Sequence, residues 1–314
     1  MTITQLEYII AVDSYRNFGQ AASSCHVTQP TLSMQIQKLE EELDVKLFDR
    51  SKLPVIATAI GAEIIQQARL VVREHAKIDE LISYFRGEVK GELHLAVIPT
   101  LAPYLVPLFV VPFLDNYPKV HLRISEMPTE EIIKQLRNNS IDCGLLATPL
   151  HEKGIQEKPL FYEPFVAYLS KNSSLFNKTT LRPQDLHATN EPVWLLDEGH
   201  CLRAQVMQLC RLRGTASKEN RLLYQTGSLE TLRRMVESHK GLTILPELSI
   251  ANFRTKELDL VRYFKEPEPV REISLVTHRH FVKQGLTDAL GEQIQRVVPE
   301  KMLKKKLVVP IVEA

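Results

Sequence analysis

Ile64, Ala68, Val71, His75, Ile78, Ile82 and Phe85 follow one another in steps of 4, 3, 4, 3, 4 and 3. That spacing predicts one long helix over residues 59–88 with a heptad seam, the pattern of a helix that pairs with a copy of itself. An amphipathic helix packed on its own domain is the other reading. Gly87 and Gly91 mark the exit. Such a helix divides the 314 residues into parts of different character, and that length predicts two or three domains.

Residues 1–58 read as short helices. Leu6, Ile9, Ile10 and Val12 form one apolar stripe, and Phe18, Ala21, Ala22 and Cys25 a second. The pattern breaks at Val27 and Thr28, and a third helix begins near Pro30, with Thr28 as its cap. Leu32, Ile36, Leu39 and Leu43 carry its apolar face. Leu47–Arg50 and Val55–Thr58 then read as two short strands about a turn at 51–54.

From residue 91 to about residue 300, strand and helix alternate. Strands are expected at Glu92–Ile98, Val120–Ser125, Ile141–Ala147, Phe165–Ser170, Val193–Leu196, Leu222–Gln225, Leu242–Leu245, Leu258–Val261 and Glu272–Thr277. Helices are expected through Leu114 and at Thr129–Asn138, Leu202–Arg211, Ser228–Ser238 and Gly285–Val298. Alternation of this kind predicts a mainly parallel sheet in one domain or two lobes. The tail, with its basic Lys304-Lys305-Lys306, reads as a frayed end.

Charge singles out no partner class: 39 Lys and Arg stand against 38 Asp and Glu. Residues 1–58 hold five basic residues (Arg16, Lys38, Lys46, Arg50, Lys52) and seven acidic ones, where a nucleic-acid module is usually basic. No apolar run approaches the ~20 residues that span a bilayer, so no membrane partner is expected. The start has no basic region followed by an apolar core, and a reducing cytoplasm is expected. Cys25 and Cys143 fall on apolar faces and read as core residues. Cys201 and Cys210 lie nine residues apart. On one continuous helix that is about 13.5 Å along the axis, on opposite faces. A disulfide between them, which needs Cα atoms within roughly 7 Å, would require the segment to unfold. Two ordinary buried cysteines remain the alternative.

The segment AASSCHVTQPTLSMQIQKLE (21–40) resembles the helix-turn-helix of LysR-type transcriptional regulators, and LDVKLFDR (43–50) and TAIG (58–61) resemble their wing and following helix. The resemblance implies an α+β multidomain chain. Its parts are a winged helix-turn-helix (1–58), a linker and dimerisation helix (59–90), a two-lobed α/β regulatory domain like periplasmic binding proteins (91–302) and a tail (303–314). It implies double-stranded promoter DNA as partner, a homodimer or homotetramer, and contact with RNA polymerase. The second helix of the motif would enter a major groove. Thr28, Gln29 and Pro30 at its start, Thr31, Ser33 and Gln35 on its face, and Arg50 in the wing are the candidate DNA contacts. Met34 stands where many members carry a basic or polar residue.

WLLDEGHCLRAQVMQLC (194–210) looks like the redox loop of the hydrogen-peroxide-sensing members of that family. IPT (98–100), PYL (103–105), SLETLR (228–233), Leu245-Pro246 and PEP (267–269) are similar as well. The resemblance implies hydrogen peroxide as signal, Cys201 as the attacking thiol, and Cys210 as the resolving thiol that forms a disulfide with it. His200, Arg203 and a helix N-terminus at Cys201 would favour thiolate. Thr100, Thr129 and Arg271 match positions near the reactive cysteine; they are otherwise good helix caps and a surface strand residue. Ala204 stands where an acidic residue is common. No cofactor is expected. A zinc site is not expected either, since this cysteine spacing is no common ligand pattern and His278 and His280 fall at a strand end with no cysteine nearby in sequence. Two other classes stay open: a regulator that binds a small metabolite between its lobes, and a thiol peroxidase, which would leave the DNA-reading segment unexplained.

Overall fold

The computed structural model describes residues 1–52, 54–85, 88–189, 191–211, 226–279 and 283–304. The chain forms two compact units, 1–88 and 89–314. Among the described residues, no helix is long and apolar enough to cross a membrane.

In the first unit, α1 (Ile3–Tyr15) starts at Thr2, whose hydroxyl accepts from the Gln5 amide while the Gln5 side chain accepts from the Thr2 amide. The Asn17 side chain caps α2 (Phe18–Ser24) by accepting from the Gly19 and Gln20 amides. His26, at φ +56°, turns the chain into α3 (Gln29–Leu43), which Thr28 caps and in which Pro30 sits in the first turn. Leu6, Ile9, Val12, Ala21, Leu32, Ile36 and Leu39 close one core among the three helices. β1 (Phe48–Asp49) pairs antiparallel with β2 (Ile56–Ala57) to make the wing. α4 (Ala59–Phe85) follows. Gly61 is required where α4 begins: a Cβ there would lie 2.1 Å from the Leu47 carbonyl oxygen.

The expected seam divides along α4. Its first turns pack on this unit's own core through Ile65 and Ala68, with Ile64 half-buried, and Arg69 pairs with Asp13 at 2.8 Å. Farther along, Val71, Ile78 and Ile82 are exposed.

The second unit begins with β3 (Gly91–Val97), α5 (Ala102–Asn116), β4 (Val120–Glu126), α6 (Thr129–Arg137) and β5 (Cys143–Thr148). β6 (Ile155–Leu169), β7 (Thr180–Leu181), α7 (Pro183–His187), α8 (Cys201–Leu209), α9 (Leu229–Ser238) and β8 (Leu242–Pro246) come next. A 3-10 turn (Glu247–Ile250), α10 (Thr255–Leu258), β9 (Val261–Phe264), β10 (Val270–His278), α11 (Gln284–Val297) and α12 (Glu300–Leu303) complete it.

The strand order is β4-β3-β5-β10-β6-β9-β7, with β8 also on β6. Two cores form. One gathers β3, β5, α5, α6 and α11 around Phe109, Phe113, Leu145 and Leu290. The other gathers the end of β6 with β8, β9, α8 and α9 around Tyr168, Leu202, Val206 and Leu245. The chain crosses from the first lobe to the second along β6 and returns along β10.

The crossing strands correct the expected mainly parallel sheet. β3 pairs parallel with β4 and β5, and β7 with β9, but β10 runs antiparallel to β5 and β6, and β6 antiparallel to β8 and β9. The first half of β6 escaped the sequence reading because Pro159 and Pro164 look like strand breaks. Pro159 lies at the register shift between β6 and β10. Val193–Leu196 makes only a single bridge, Val193 to Leu242, rather than a strand. The segment expected as a strand at Leu258–Val261 instead ends α10, and β9 starts at its last residue. The strand expected at Leu222–Gln225 lies outside the described residues, as do Lys305 and Lys306.

Candidate functional site

Cys201 opens α8 directly after Gly199, at φ +93°, and the cap residue His200. Its backbone belongs to the second lobe, yet its side chain packs against the core of the first. Thr129 opens α6 on the first lobe, and its hydroxyl is buried without a hydrogen-bond partner. It lies near enough to the thiol to favour the ionised form.

Arg271, on returning β10, is wholly buried. Its Nη1 donates to Thr100 Oγ1 (3.0 Å), its Nη2 to the Thr100 carbonyl (3.2 Å), and its Nε to Glu163 Oε2 (2.9 Å). Glu163 lies opposite Arg271 on β6, is equally buried, and also accepts from the Leu248 amide at 2.9 Å. Burial pushes the Glu163 carboxyl up, against the pull of Arg271 and that amide.

Burial likewise pushes the Cys201 thiol up. The Arg271 guanidinium, the Thr129 hydroxyl and the amides at the start of α8 act the other way. Cys210 caps the far end of α8, inside the second core, where burial pushes its thiol up to about 12. Both thiols are free. The two ends of this nine-residue helix therefore engage different cores.

The structure brings Cys201, Thr100, Thr129 and Arg271 to one junction. His200 and Arg203, expected to favour thiolate, have partners on the preceding loop. His200 Nε2 lies 3.2 Å from Asp197 Oδ1, and Arg203 Nη1 donates to the Leu196 carbonyl at 2.8 Å. Both side chains brace the loop before α8. Ala204 is exposed. Glu163 escaped the sequence reading because nothing local marks a lone glutamate that pairs across a crossover with a residue 108 positions away. Cys143 is buried, which pushes its thiol up, and Cys25 is half-buried at the end of α2. Among the described residues, no three His, Cys, Asp or Glu side chains gather as a metal would need. His280 lies outside them.

On the first unit, α3 presents Gln29 and Pro30 exposed at its start. The Thr28 hydroxyl accepts from the Thr31 amide and lies 2.8 Å from the Thr31 hydroxyl. Met34 is exposed beside half-buried Ser33 and Gln35. Gln35 accepts from Gln5 Nε2 at 3.4 Å. Arg50 lies over the Phe18 ring and donates to Ser33 Oγ (3.1 Å) and Glu40 Oε2 (3.3 Å), which ties the wing to α3. Glu40 is a second residue the sequence did not reveal. Its buried carboxylate accepts from the Leu47 and Phe48 amides and fixes the entry to the wing.

Residues 3–62 match the bacterial regulatory helix-turn-helix protein of the lysR family, and residues 86–299 match the LysR substrate binding domain. A "Hydrogen peroxide-inducible genes activator" from Pectobacterium carotovorum is 37% identical over 94% of this chain and 96% of its own length. The "DNA-binding transcriptional dual regulator OxyR" of Escherichia coli is 37% identical over 94% of this chain and 95% of its own. A solved full-length OxyR variant from Pseudomonas aeruginosa superposes with a TM-score of 0.79 at 31% identity, covering 98% of this chain and 99% of that one. Two matching domains in the same order, with relatives aligned along nearly the whole chain, place it: the chain belongs to the LysR family of DNA-binding transcriptional regulators.

Proposed function

We propose that this regulator responds to hydrogen peroxide through Cys201 and Cys210. The observation that carries the reading is the junction itself. A thiol at a helix N-terminus lies beside a buried arginine and a hydroxyl without a partner, and a second thiol ends the same helix in another core. The names of its relatives point the same way.

The chemistry balances as two steps. Cys201 loses its proton to solvent, and the thiolate sulfur attacks one peroxide oxygen. The O–O bond breaks, the sulfur is oxidised to sulfenic acid, and the departing hydroxide takes up a proton to leave as water. Cys210 then attacks the sulfenic sulfur, the S–S bond forms and a second water leaves. Thr129 and Thr100 are the hydroxyls available to hydrogen-bond peroxide oxygens, and Arg271 stabilises negative charge at the sulfur. Helix α8 cannot hold both cysteines at disulfide distance, so the bond requires its local unfolding.

The switched state repacks the second unit and alters how copies of the chain associate through α4 and engage promoter DNA. Thr28, Gln29, Pro30, Thr31, Ser33 and Gln35 meet the groove and its phosphates, and Arg50 meets the flanking backbone. The test is promoter footprinting of the full chain with and without peroxide. The wild-type footprint changes, and the Cys201→Ser footprint stays in its reduced form. A full peroxide response from Cys201→Ser would overturn the reading and favour a small ligand at the same junction, where the Thr129 hydroxyl would receive it.

A further inference from the structure

We propose that Glu163 acts on the thiol chemistry through Arg271, offsetting part of the positive charge that the guanidinium presents to Cys201. The inference rests on Cys201 being the reactive thiol.

Arg271 is wholly enclosed, and Glu163 is the carboxylate that meets it, at 2.8 Å to Nη2 and 2.9 Å to Nε. Thr100 takes the opposite edge with its hydroxyl and carbonyl, so the guanidinium is held from both sides. The Leu248 amide fixes the second Glu163 oxygen, which leaves the carboxylate no other orientation. Glu247, which pairs with Lys301, and the Tyr104 phenol are also felt by this pair. Neither replaces Glu163.

An arginine paired with a buried carboxylate acts on a nearby thiol as a dipole, a weaker source of positive potential than a bare guanidinium. Thr100 and the surrounding core would keep Arg271 in place after the carboxylate is lost. Removing the Glu163 charge therefore leaves a more strongly positive group at the thiol. Ionisation of Cys201 becomes easier.

The experiment is site-resolved alkylation of the reduced full-length protein by iodoacetamide as a function of pH, read by peptide mass spectrometry. In E163Q the midpoint for Cys201 moves to lower pH by about one unit, so alkylation below the midpoint runs about tenfold faster. A merely structural role would leave that midpoint in place. A folded E163Q with an unmoved or raised midpoint overturns the proposal. Should E163Q fail to fold, E163D decides. It keeps the charge but withdraws it, and a smaller shift in the same direction supports the proposal, whereas no shift overturns it. Alkylation needs no peroxide. A wild-type protein that fails to form the Cys201–Cys210 disulfide would sink the redox reading without being mistaken for failure of this one.

Discussion

Cys201 is a thiol under opposing influences. Burial raises its pKa, while Arg271, Thr129 and the amides at the start of α8 lower it, and burial wins. A raised pKa means that the neutral thiol dominates near neutrality, so reactivity grows with pH. We expect peroxide oxidation of Cys201 to accelerate about tenfold per pH unit below the thiol's pKa, checked by stopped-flow oxidation across a pH series. A rate flat from pH 6 upward would mean that the positive groups win instead. At this scale the resemblance named Thr100, Thr129 and Arg271, which the structure places at one junction. The sequence could not reveal Glu163 or Glu40, whose partners sit on other elements. Glu40→Ala leaves the Leu47 and Phe48 amides buried and unpaired, so a loss of about 1–3 kcal/mol in denaturant unfolding is expected.

Helix α8 is short, and its two ends are anchored in different cores. Its periodicity was legible, but its role as a tie between lobes was not, because lobe membership depends on the crossing of β6 and β10. The proposed disulfide would take the Cys201 side chain out of the first core or Cys210 out of its helix cap. We therefore expect amides 202–210 to lose at least about tenfold of their hydrogen-exchange protection on oxidation while β3 and β5 keep theirs. Equal protection in both states would contradict local unfolding. Helix α4 carries the second element-scale expectation. Its exposed Ile78 and Ile82 have no partner on their own unit's core. The I78D/I82D variant should lower the mass measured by light scattering toward that of a single chain.

Over the whole molecule, basic and acidic residues nearly balance, and residues 1–58 are acidic by two charges, five basic against seven. Bulk attraction therefore cannot supply DNA affinity. The proposed reading places the binding groups on α3 and the wing and expects pairing of two copies to double them. Dissociating the pair with I78D/I82D should weaken promoter binding by about 10²-fold or more in a mobility-shift titration, beyond what a phosphate contact at Arg50 supplies. A break near residue 88 was legible because the long helix before it and the alternating strands and helices after it have different hydrophobic periods. The mixed sheet was not, because strand direction is decided by the crossover and the prolines of β6 hid half of it. The proposed switch rests on the two thiols at the ends of α8. The most direct measurement is peptide mass spectrometry of the reduced protein after a near-stoichiometric pulse of hydrogen peroxide. The account predicts a linked Cys201–Cys210 peptide with Cys25 and Cys143 still free; four free thiols, or oxidation spread evenly among them, would contradict it.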